Sequence, residues 1–85
     1  MRKREPILIH MEILSSLFAS PKGPTRLAQS CNVQFARLGN FTTALVKKGL
    51  IRVEQVDGQE VFSITNEGFE VYKAWLEIWR RLPFE

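Results

Sequence analysis

Apolar positions near the start of the chain are spaced like one face of a helix. Ile7, Leu8, Met11, Leu14, Leu17 and Phe18 recur along one side. Pro6 suits a first helical turn, so a helix is predicted over residues 6–19. Ser20-Pro21-Lys22-Gly23-Pro24 interrupts the period and reads as a loop. A short helix follows over residues 24–31, with Pro24 in its first turn or Thr25 as its cap. Leu27 and Ala28 sit on that helix, Cys31 closes it, and Asn32-Val33 make a turn. Residues 34–48 then predict a longer helix whose Phe35, Leu38, Phe41 and Leu45 share an inward face. Gly49 ends it, with Lys47 and Lys48 complementing the dipole in its last turn.

Beyond Gly49 the pattern changes to β-favouring residues. Alternation turns Ile51 and Val53 inward and Arg52 and Glu54 outward. Asp57-Gly58 is a strong two-residue hairpin signal. The return strand puts Val61 and Ser63 on the face opposite Phe62 and Ile64. Thr65 or Asn66 can cap a last helix over residues 66–82. Phe69, Tyr72, Leu76 and Trp79 line one side of it, Trp75 and Leu82 widen that stripe, and Pro83 ends the helix.

The predicted order is α-α-α-β-β-α, an α+β fold with a three-helix core and a two-stranded ribbon. A short helix, a turn and a longer helix with one apolar face is an arrangement that holds a helix in the DNA major groove. Followed by a hairpin, it makes a winged helix. The 85 residues allow one domain. Within it lie a basic tail (1–5), a helix-turn-helix (24–49), a wing (51–64) and a C-terminal helix (66–82).

Composition narrows the functions. A hydrophobic content of 45% is ordinary for a globular protein and argues against disorder. The one cysteine, Cys31, cannot form an intramolecular disulfide and reads as a small buried residue. No apolar run approaches the roughly 18 residues of a membrane span, and no signal peptide is visible. The expectation is a cytoplasmic, nucleoid-associated protein. His10, the one histidine, has no Cys or His partner at metal-ligand spacing and reads as a partly exposed structural residue. Without a nucleotide motif or paired catalytic groups, no metal, cofactor or enzymatic activity is expected.

Charge adds an asymmetry. Met1–Arg52 holds nine Lys/Arg against two Asp/Glu, and Val53–Glu85 three against seven, giving +7 and −4. The basic part contains the helix-turn-helix and favours an anionic partner. Gln34, Arg37 and Asn40 are outward on the longer helix and can pair with base edges. Lys22, Thr25, Arg26, Thr43, Lys47 and Arg52 are candidates for phosphate contacts. Ala36 and Gly39 are small enough for close approach, and Gly39 costs roughly 1 kcal/mol against alanine inside a helix. The wing tip is different: Glu54, Asp57 and Glu60 are acidic, and it carries no Lys or Arg. Phe69, Tyr72, Trp75, Leu76, Trp79 and Leu82 are more apolar surface than so small a domain readily covers, which predicts a homodimer through the last helix.

The stretches ILSSL, GPTRLAQSCNVQFARLGNFTTALVKKGLI and ITNEGFEVYKAW resemble the small archaeal winged helix-turn-helix proteins. That group includes transcriptional regulators and chromatin-type DNA-binding proteins. The Thr65-x-x-Gly68 start of the last helix is similar to that family's, and the resemblance spans Met11 to Leu82. It implies a dimer joined by the terminal helices and DNA reading by the longer helix. The chain departs from its relatives in a terminal helix ending near Pro83, an acidic wing, and Gly39, Asn40, Thr42 and Thr43 on the reading helix. The leading expectation is a dimeric double-stranded-DNA-binding regulator. The alternatives are a protein-interaction winged helix without DNA binding and a nonspecific architectural DNA-binding protein.

Overall fold

The computed structural model describes residues 6–83; the basic tail at 1–5 lies outside them. Its elements are α1 (Pro6–Ala19), α2 (Pro24–Cys31), α3 (Phe35–Lys47), β1 (Ile51–Val56), β2 (Gln59–Ile64) and α4 (Asn66–Arg81). This is the α-α-α-β-β-α order of a winged helix. Ile13, Leu14, Leu17, Leu27 and Ile51 lie at the centre of the core, fully buried. Ile9 and Met11 of α1, Ala28 and Cys31 of α2, Val33 of the following turn, Leu38 and Leu45 of α3, and Phe62 of β2 complete it. The three helices thereby clamp one face of the hairpin's base.

The turns are fixed by backbone chemistry. α2 ends with Asn32 in the left-handed region (φ 56°), and the Val33 amide reaches back to the Ala28 carbonyl at 3.0 Å. Asparagine tolerates this conformation better than most residues. α3 ends the same way on Gly49 (φ 74°): the Gly49 amide bonds Val46 O and the Leu50 amide bonds Leu45 O. The hairpin pairs Ile51 with Ile64 through to Val56 with Gln59. Asp57 and Gly58 both have positive φ at its turn, the geometry that matches strand twist.

The start of α4 is a tight joint against the end of α3. The Thr65 hydroxyl accepts a hydrogen bond from the Gly68 amide (3.0 Å) and donates to the Gly49 carbonyl (2.6 Å). The Thr65 amide donates to the Leu50 carbonyl at 3.1 Å. Gly68 passes so close that an added Cβ would lie 1.9 Å from the Leu50 carbonyl oxygen. The Thr-x-x-Gly start therefore serves a close crossing as well as a cap.

Four expectations need correction. Phe35 does not share the buried face of α3; its side chain is 61% exposed. The buried stripe is Leu38, Thr42 and Leu45, and Phe41 sits half-buried at its margin. Thr42 tolerates burial because its hydroxyl donates to the Leu38 carbonyl, one turn back. Phe35 occupies the first turn of α3, where no element of the described residues crosses over it. Val53 points along the inward side but stays 40% exposed, because a groove separates it from α3. The loop before α2 is not wholly irregular: Lys22 and Phe62 exchange two backbone hydrogen bonds (3.1 and 2.8 Å), adding a bridge to β2. Finally, the Lys22 ammonium turns inward along α1. It donates to the Ser16 carbonyl (2.6 Å) and to the Ser20 carbonyl and hydroxyl (both 3.2 Å). It satisfies the carbonyl end of α1 instead of projecting towards a phosphate.

α4 runs antiparallel to α1. Phe18 stacks on Phe69 (5.4 Å between centroids), and the Tyr72 hydroxyl bonds Ser15 Oγ at 3.1 Å. Farther along, contact loosens into a groove of about 300 Å³ lined by Leu8, Met11, Glu12 and Ser15 on one side and Tyr72, Trp75, Leu76 and Trp79 on the other. No helix of the described residues is long and apolar enough to cross a membrane.

Candidate nucleic-acid interface

The amphipathic build of α3 creates the candidate site. Leu38, Thr42 and Leu45 anchor one side to the core. Helical geometry then leaves Ala36, Asn40, Thr43 and Lys47 on the opposite side, and all four are exposed. Gln34 is the residue preceding the first turn of α3, and it too is exposed. Arg37 lies on one flank, with its guanidinium 5.9 Å from the Phe41 ring centre. That contact steadies a long cationic side chain without neutralising it. Across the helix interface, His10 meets the same Phe41 ring edge-on at 5.2 Å. Partial burial holds the His10 pKa below the ordinary value of 6.5, because the charged imidazolium loses solvation there.

The surrounding surface is continuous. Thr25, Gln29, Asn32, Gln34 and Phe35 line a shallow concavity between α2 and the start of α3. Thr25 also belongs, with Arg26, to a second concavity against Gln59 and Glu60 of β2. Glu60 in turn borders a third, shared with Gly39, Thr43, Lys47 and Val53. Shared Thr25 and Glu60 thus join the front of α2, the outer side of α3 and the tip half of the wing into one face. Thr25 and Arg26 are exposed in the first turn of α2, just after the Gly23 cap and Pro24.

Sequence reasoning placed most of these residues outward from periodicity alone. Lys22 is the exception, spent on α1 as described. Arg52 is exposed but lies 3.9 Å from Glu54 on the same strand, a solvated pair of little energetic weight. Phe35 is the residue that sequence reasoning missed on this face, because its period matched the core stripe. Gly39 has no neighbour that an added Cβ would meet within 4 Å, so nothing in the fold itself requires glycine there. The candidate dimer residues divide into two groups. Phe69 and Tyr72 are held against α1, while Leu76, Trp79 and Leu82 remain exposed and Trp75 is half-buried in the groove.

Residues 3–81 match the winged helix-turn-helix family. A comparison with curated proteins finds no match. Among solved structures, the transcriptional regulator BldR from Sulfolobus solfataricus is similar over 87% of this chain and 55% of its own, at 22% identity and a TM-score of 0.80. Sso10a-2, a DNA-binding protein from the same organism, is similar over 92% of this chain and 84% of its own, at 18% identity and a TM-score of 0.75. RosR of H. salinarum is 25% identical over 81% of this chain and 69% of its own, with a TM-score of 0.76. Several similar structures are thus archaeal. The chain spans little more than half the length of BldR.

Proposed function

Because the chain belongs to the winged helix-turn-helix family, we propose that it binds double-stranded DNA as a homodimer and regulates transcription. One observation carries the reading: the side of α3 away from the core is exposed, polar and basic, and no other element among the described residues covers it. In this reading α3 enters the major groove. Gln34, Arg37 and Asn40 meet base edges. Thr25, Arg26, Thr43, Lys47 and Arg52 meet the phosphate backbone. A second copy joins through the distal half of α4, where Trp75, Leu76, Trp79 and Leu82 leave apolar surface unfilled. Two copies would then address half-sites about 34 Å apart.

The test is binding of duplex DNA over a salt series. Affinity should fall steeply with salt. Lys47→Ala should weaken binding to all sequences alike and flatten the salt slope by about one. Arg37→Ala should instead reduce discrimination between a selected site and random DNA. An unchanged preference in that variant removes Arg37 from the reading face. Equal affinity of the native protein for selected and random duplex favours a nonspecific architectural role.

A second reading has its own support. Glu54, Asp57 and Glu60 are exposed on a ribbon that elsewhere in such interfaces meets phosphate or the minor groove. An acidic ribbon suits a basic protein partner better. Failure to bind duplex at low salt would favour this protein-interaction role.

A further inference from the structure

From its exposure in the leading turn of α3, we infer that Phe35 is a specificity-determining residue that recognises the C5-methyl group of thymine. The inference rests on the DNA-binding reading and deepens it. Phe35 is the most exposed of the large apolar side chains among the described residues, at 61%. Its ring stands in the first turn of α3, immediately after Gln34. The leading turn of a recognition helix is the part that meets base edges in the major groove. Thymine alone presents a methyl group there, and an apolar side chain is its natural contact.

Two further features favour a base edge as the occupant. Gly39 lies four residues on, on the same flank of α3, and the space beside it is open. Position 39 itself therefore puts no side chain beside the ring. Phe35 also borders a concavity lined by Thr25, Ala28, Gln29, Asn32, Val33 and Gln34. Its mixed lining suits a base edge, which offers an apolar methyl group beside hydrogen-bonding groups. Gln34, adjacent in the chain, can pair with adenine N6 and N7. The two residues together favour A·T steps under the start of α3.

The experiment uses the full chain and a duplex selected by it from random DNA. Each thymine of the bound site is replaced in turn by deoxyuridine, which removes the methyl and leaves the base-pairing edge intact. For the native protein, one such replacement should weaken binding about fourfold, the worth of one buried methyl-sized group. Phe35→Ala should bind the thymine and deoxyuridine duplexes equally, with an unchanged circular dichroism spectrum. The assignment is overturned if no replacement matters to the native protein, or if Phe35→Ala keeps the full thymine preference. No binding to any duplex at low salt overturns the DNA-binding reading itself, and this inference with it.

Discussion

The two ends of α4 are built to opposite standards. At its start, Thr65 exchanges hydrogen bonds with Gly68 and Gly49, and Gly68 lies directly against the Leu50 carbonyl. At its far end, Leu76 and Trp79 border an open groove, and Leu82 is half exposed. Both ends have strong sequence signals, a cap motif and an aromatic stripe. The first is closed by contacts within the chain, whereas the stripe packs on α1 through Phe69 and Tyr72 and then opens into the groove. The contrast teaches that apolar periodicity tells where a helix wants contact, and says nothing of whether the same chain supplies it.

The harshest way to break the contrast is Gly68→Ala. An added methyl group cannot fit beside Leu50 O and Ile64 Cγ1 without moving backbone. The substitution should cost about 3 kcal/mol, read as a lower urea midpoint. A loss below a few tenths would mean that the crossing is looser than described. Thr65→Ala comes next. It removes the cap acceptor and strands the Gly49 carbonyl, at a cost of about 1–2 kcal/mol. Thr65→Ser should restore most of that stability, since the hydroxyl carries both bonds.

The open end should respond differently. Leu76→Glu places a charge on an exposed position and should leave the monomer's unfolding midpoint nearly unchanged. It should, however, lower the sedimentation mass from two chains to one at micromolar concentration. A native protein that already sediments as one chain would make the distal surface a finished one. The mildest test concerns the other face of α1, where His10 meets Phe41. The fold favours neutral His10, so the unfolded chain binds its proton first as pH falls. Stability should decline on acidification from about pH 6.5 down through the depressed folded pKa, and recover as pH rises. His10→Gln should flatten that slope in thermal melts run across the same range.

Local chemistry made much of the architecture legible. The Asp57-Gly58 turn, the Gly49 stop and the Thr65 cap depend on residues within a few positions of each other. What escaped depended on distant segments. Phe35 has the spacing of a core residue, yet its side chain is exposed in the first turn of α3. Lys22 has the charge of a phosphate contact, yet the end of α1 lies within its reach. Thr42 looks polar but is buried, because its hydroxyl can bond its own helix. Thr65-x-x-Gly68 was visible as a pattern, whereas the collision that demands glycine involves Leu50, well back in the chain. For the candidate site, periodicity named an outward side of α3 but could not say that concavities bordered by Thr25 and Glu60 join it to α2 and the wing.

The oxygen of Gly49 belongs at once to the end of α3 and to the beginning of α4. A dimer assembled through α4 would therefore carry its two reading helices on stiff levers, with their rotational phase set at that joint. One base pair inserted between half-sites turns the second by about 34° around the duplex axis. Such levers have little slack to follow that rotation, so operator spacing would be dictated by the protein's hinge geometry as firmly as operator sequence is by its side chains.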